Sequence, residues 1–99
     1  MTIHLHHDDL PADLDLGSAV AIDTETMGLN PHRDRLCVVQ LSSGDGDAHL
    51  VKLPNPAQAA PRLAGLLADG TVTKLFHFAR FDLAALSHSI GPVNGPIYC

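Results

Sequence analysis

Two carboxylates in an i, i+2 relation, Asp23 and Glu25, close the apolar run Ala19-Val20-Ala21-Ile22 and are the residues best placed for chemistry in this chain. On a strand, side chains two apart share a face, so this pair projects side by side from the strand's end. Carboxylates held that close repel each other and rarely serve packing, whereas paired hard oxygen donors suit a divalent cation. The D-x-[DE] pattern recurs at Asp13-Leu14-Asp15 and Asp45-Gly46-Asp47. The first lies in a polar lead-in, and the second flanks a glycine where aspartate favours a turn. Only Asp23 and Glu25 end a run of buried-strand character, and at this point a metal-ligand pair and an ordinary strand-end pair both stay open. A third carboxylate, Asp82, falls in the first turn of a predicted helix within His77-Phe78-Ala79-Arg80-Phe81-Asp82-Leu83. Taken alone, it is explained by the preference of acids for a helix N-terminus.

The elements that must carry these residues follow from periodicity and breakers. Ile3 and Leu5 alternate with polar neighbours as an edge strand, and Asp8-Asp9-Leu10-Pro11 reads as a turn or short helix start. Ser18 to Thr26 is a strand, Gly28 to Asp34 a loop of turn formers, and Leu36 to Ser42 a second strand. After Ser43-Gly44-Asp45-Gly46-Asp47, Ala48 to Val51 forms a third strand. So short a connection holds no crossover helix, so these last two form an antiparallel hairpin. Beyond the break at Pro54-Asn55-Pro56, Leu63, Leu66 and Leu67 at i, i+3, i+4 mark a helix that opens at Pro61 and stops at Gly70. Val72 to Phe76 is a fourth strand. Ala79, Leu83, Leu86 and Ile90 line a second helix ended by Gly91 and Pro92, and Ile97-Tyr98-Cys99 opens another strand. Strands first, then alternating helix and strand, predict an α/β sheet of mixed direction.

Ninety-nine residues, 45% of them hydrophobic, fit one small soluble domain with a modest core. No apolar run reaches the ~18 residues of a membrane span, and Met1-Thr2-Ile3-His4-Leu5-His6-His7 lacks the basic and apolar regions of an export signal, so a cytoplasmic location without membrane contact is expected. Cys37 lies within a strand and Cys99 ends the chain, a usage that suits neither a zinc site nor a disulfide framework. His4, His6 and His7 have no fourth ligand at ordinary spacing and read as a solvated strand end rather than a zinc site. The net charge of −5 argues against nonspecific nucleic-acid binding. Its distribution softens that argument. Met1 to Glu25 holds six acids and no Lys or Arg, while the remainder holds six basic residues against five acids, and an acidic site can be offset by bound cations.

Taken together, Asp23-Thr24-Glu25-Thr26 at a strand end, a hairpin after it and His-x-Ala-x-x-Asp-Leu after a later strand resemble the first two motifs of the DEDD 3′-to-5′ exonucleases. Ile22-Asp23-Thr24-Glu25-Thr26 followed by Leu36-Cys37-Val38-Val39-Gln40-Leu41 is most similar to the ribonuclease D family. The resemblance runs from about Leu5 to Cys99. It implies a ribonuclease H-like mixed sheet with flanking helices, two divalent ions (Mg²⁺ or Mn²⁺), and removal of nucleotides one at a time from the 3′ end of single-stranded RNA, tRNA precursors among them. Asp23, Glu25 and Asp82 match three of the four metal-binding acids. In the two-ion scheme Asp23 bridges, Glu25 completes one shell, and Asp82 holds the second ion directly or through water.

In the resembled family the segment matching Met27, Gly28 and Leu29 lies beside the terminal base; Thr26 and His77 are further substrate-binding candidates, Arg80 could reach a phosphate, and Phe81 could stack on or pack near the terminal sugar. Against this, Gly28 between two apolar residues also suits a plain turn, Arg80 a surface cation and Phe81 a core aromatic. Many members carry Asn where Phe78 stands. The fourth acid, with a Tyr or His four residues before it, belongs to a third motif further on. Residues 1–99 are therefore expected to be the N-terminal part of one exonuclease domain, inactive by itself. A DEDD domain acting on DNA ends and a noncatalytic RNA-binding module of the same fold are the competing expectations.

Overall fold

In the computed structural model, residues 2–28, 34–54, 59–77 and 79–99 are described. Alternation sets the strands. Thr2–His7 (β1), Ala19–Thr26 (β2), Leu36–Ser42 (β3), Asp47–Lys52 (β4), Thr73–Leu75 (β5) and Ile97–Tyr98 (β6) join in one sheet of order β1-β4-β3-β2-β5-β6. β2, β3 and β4 form the antiparallel core that the short turn at Gly44 and Gly46 requires, both glycines having positive φ. The remaining pairings, β1 on β4, β5 on β2 and β6 on β5, are parallel, which makes the sheet mixed as expected. The expected fourth strand is shorter than its apolar run, since Val72 and Phe76 serve as buried flanks.

β2 shows how the sheet faces are assigned. Val20, Ile22 and Thr24 are buried, while Ala19, Ala21, Asp23 and Glu25 between them are exposed. Register carries the buried face across to Val39 and Leu41 of β3, His49 and Val51 of β4 and Lys74 of β5. Helices Pro61–Ala68 (α1) and Ala79–Ser89 (α2) cover this face, inserting Leu63 and Leu67 from the first and Ala85 and Leu86 from the second. At about 25 cal/mol per Å² of buried apolar surface, these aliphatic contacts dominate the stability of the unit. The opposite face is open at β2 and at Leu75, with Tyr98 beside it.

Both ends of α1 are satisfied from far along the chain. Its N-cap residue, Ala60, offers no side-chain acceptor; the Asp9 carboxylate accepts from the Arg62 and Leu63 amides at 2.9 and 2.8 Å. The turn expected at Asp8–Pro11 is thus also a remote helix cap. At the other end the helix stops at Ala68, short of Gly70. Asn94 donates to the Leu67 and Ala68 carbonyls, and the fully buried Lys74 ammonium donates to Asp69 O and Asn94 O, each at 2.5 Å. Burial pushes the Lys74 pKa down, while the Asp69 charge pulls it back. Gly95 closes this junction with φ +93, and a Cβ there would stand 2.8 Å from Val72 O, so only glycine fits.

The histidines do not behave as an isolated strand end. His4 and His6 stack with His49 of β4 at centroid distances of 4.7 and 5.2 Å. His6 Nε2 and His49 Nδ1 share one hydrogen bond at 2.9 Å, and His4 Nε2 donates to Asp47 Oδ2 at 3.2 Å; His7 is exposed and outside the stack. Cys37 is partly buried and Cys99 exposed, both as free thiols. Among the described residues no helix is long and apolar enough to cross a membrane.

Candidate active site

Asp23 and Glu25 stand on the exposed face of β2, across from Gln40 and Val38 of β3. A register irregularity between Glu25 and Thr26 ends regular pairing directly after them. Asp23 Oδ1 accepts the Thr24 amide at 2.9 Å, which fixes its rotamer against its own backbone. Beside it opens a depression of about 300 Å³ lined by Ala21, Ile22, Asp23, Gln40, Ser42, Leu75, Phe76 and His77. Two of the residues singled out in the sequence, Asp23 and His77, therefore face one space, and strand β5 leads His77 to it.

Asp82 reaches the same end of β2 from the first turn of α2, and it is buried at 4% exposure. The Thr24 hydroxyl donates to its Oδ1 at 2.5 Å. Burial raises the Asp82 pKa, the Thr24 hydrogen bond lowers it, and the negative charge of Asp23 raises it further, with the net direction upward. Asp82 is thus within electrostatic reach of Asp23, although among the described residues no three His, Cys, Asp or Glu side chains converge into a ready metal cage. Thr24 was not singled out from the sequence. The signal for it was a hydroxyl at the inward position of a strand whose other inward residues are aliphatic.

The remaining positions separate. The Thr26 hydroxyl donates to Gly28 O, and the Met27 amide donates to Arg35 O at 2.9 Å, which ties down the turn after the carboxylates. Met27 stands out into solvent at 71% exposure. Gly28 packs so closely on the Asp34 carboxylate that a Cβ would lie 2.3 Å from Asp34 Oδ2. Leu29 and most of the expected loop at Gly28–Asp34, together with Phe78 and Asn55-Pro56, lie outside the described residues. Arg80 is exposed on α2 and Phe81 is half-buried.

A strand ending in two exposed carboxylates, followed by a hairpin and then a helix carrying a third, on a ribonuclease H-like mixed sheet, is the arrangement of a 3′-5′ exonuclease. The 3′-5′ exonuclease family model DNA_pol_A_exo1 matches residues 6–99, and the chain belongs to that family. Its relatives include ribonuclease D of Granulibacter bethesdensis, 37% identical over 79 residues, a match covering 80% of this chain and 20% of that protein. Among solved structures, Brucella melitensis NrnC with bound Mg²⁺ superposes with a TM-score of 0.94 at 54% identity, over 100% of this chain and 50% of that one. The same protein bound to pGG gives 0.93, also at 54% identity, over 100% of this chain and 49% of that one. The chain thus spans a fifth of the ribonuclease D relative and about half of the NrnC chains.

Proposed function

We propose that this chain is the N-terminal part of a metal-dependent 3′-5′ exoribonuclease domain that shortens single-stranded RNA from its 3′ end. The observation that carries the reading is the pair Asp23 and Glu25 on an open sheet face with Asp82 close enough to Asp23 for those two charges to interact. The three carboxylates offer only oxygen donors, a set that fits Mg²⁺ or Mn²⁺ better than zinc or copper. Asp23 and Glu25 would hold one ion and Asp82, with Asp23, a second. When bound, two such ions activate a water and stabilise the departing 3′ oxygen of a phosphodiester in line.

The chain's own groups provide the setting. The depression beside Asp23 accepts the terminal nucleotide next to His77, and exposed Met27 offers apolar surface to its base. Arg80, exposed on α2, supplies a positive charge for a backbone phosphate, while half-buried Phe81 braces the helix under it. The fourth acid and its Tyr or His partner are assigned to sequence after Cys99. NrnC, with bound Mg²⁺ in one structure and pGG in another, supports both the ion and a short oligonucleotide as substrate.

The test uses the complete protein and a 5′-labelled RNA oligomer, with pGG as a short substrate. Trimming in single-nucleotide steps that needs Mg²⁺ or Mn²⁺, stops with EDTA and falls by orders of magnitude in Asp23→Asn at an unchanged melting temperature is the expected result. Equal trimming with EDTA present would overturn the metal mechanism. Preference for a DNA oligomer of the same sequence would move the substrate to DNA ends.

A further inference from the structure

The geometry points to Thr24 as a positioning residue for the third carboxylate, an inference that rests on the metal-dependent reading above. Thr24 stands between Asp23 and Glu25, but strand alternation turns it to the opposite face, where it is buried at 9% exposure. The other buried side chains of that face of β2 are Val20 and Ile22, so an aliphatic residue would serve packing equally well. What Thr24 adds is a hydroxyl, and it donates to Asp82 Oδ1, 58 residues away and itself buried. One tripeptide therefore presents two carboxylates on its outer face and grips a third from its inner face.

The consequence is a fixed spatial relation between strand and helix. α2 packs next to β2, and aliphatic packing alone permits α2 to slide or Asp82 to change rotamer by the fraction of an ångström that ion coordination does not tolerate. A hydrogen bond from the residue adjacent to both strand carboxylates ties Asp82 to their register. It also engages one carboxylate oxygen from the core side, and so orients the group that would meet the second ion. Partners of this kind commonly account for 10–100-fold in metal affinity or activity.

Thr24→Val keeps shape and removes the hydroxyl, whereas Thr24→Ser keeps the hydroxyl and removes a methyl. In the complete protein, Mn²⁺ binding by calorimetry and the Mg²⁺ dependence of RNA trimming are measured for both. Thr24→Val should weaken Mn²⁺ binding and raise the half-saturating Mg²⁺ concentration about tenfold or more, and Thr24→Ser should stay within about threefold of the parent. Should Thr24→Val not fold, Thr24→Ala against Thr24→Ser isolates the hydroxyl at equal methyl loss. If Asp23→Asn abolishes ion binding and trimming while Thr24→Val matches the parent in both, Thr24 is packing only and the inference fails with the metal reading intact. If Asp23→Asn itself binds Mn²⁺ and trims normally, both fail together.

Discussion

Asp82→Asn separates the charge of that side chain from its hydrogen bond. The asparagine oxygen still accepts from the Thr24 hydroxyl, but the negative charge that burial and Asp23 both oppose is gone. Because the folded protein raises the Asp82 pKa, the native state binds a proton more readily than the unfolded chain, and stability falls as pH rises through that window. At neutral pH the ionised wild type carries the whole penalty of burial and of the Asp23 charge, offset by about 0.3–1 kcal/mol of favourable helix-dipole interaction. Asp82→Asn should therefore melt at or slightly above the wild type without metal. Asp82→Ala leaves the buried Thr24 hydroxyl without its acceptor and should lie about 1–3 kcal/mol below Asn. At about 2–8 °C per kcal/mol for small and medium-sized domains, that ordering is measurable by calorimetry in EDTA. The advantage of Asn over wild type should shrink on acidification, and both variants should lose RNA trimming in Mg²⁺ by orders of magnitude. An Asn variant that melts with Ala, well below wild type, would show that the charged hydrogen bond outweighs burial, and the argument would be wrong.

Lys74→Met removes the donor to the Asp69 and Asn94 carbonyls while relieving a desolvated charge, and a net loss of about 1–3 kcal/mol is expected from urea unfolding. The His6 pKa is lowered by burial first and by His49 and His4 next, so the unfolded chain binds the proton more readily and stability should drop as pH falls below about 6.5. The slope from this one group is at most about 1.4 kcal/mol per pH unit, and His6→Val should remove it; an unchanged urea midpoint between pH 7.5 and 5.5 in the parent would contradict it.

Local signals in the sequence were sufficient for β2, the β3–β4 hairpin, both helices and the orientation of Asp23 and Glu25, because each depends on alternation, helical spacing or a glycine turn within a few residues. What stayed hidden was carried by long sequence separation. Thr24 looks like any strand threonine until Asp82 is brought to it, and Asp9 resembles a turn former until α1 starts above it. A lysine in β5 reads as a solvent-facing residue, and only the converging Asp69 and Asn94 carbonyls explain its burial. His49 completes the imidazole stack because β1 lies parallel to β4, a pairing that no local pattern specifies.

That parallel pairing also constrains the order in which the chain can assemble. Thr2 meets Asp47 and His7 meets Lys52, so β1 leaves the ribosome ahead of β4, its partner, by a few seconds at roughly 5–20 residues per second. Ile3 and Leu5 are exposed, and β1 is an edge strand among the described residues; the neighbouring His4, His6, His7, Asp8 and Asp9 make that edge a poor template for other chains. β2, β3 and β4 close through short connections first, and β1 is added to a sheet already formed. Defects in β1 should then shorten the lifetime of the folded protein more than they slow its formation.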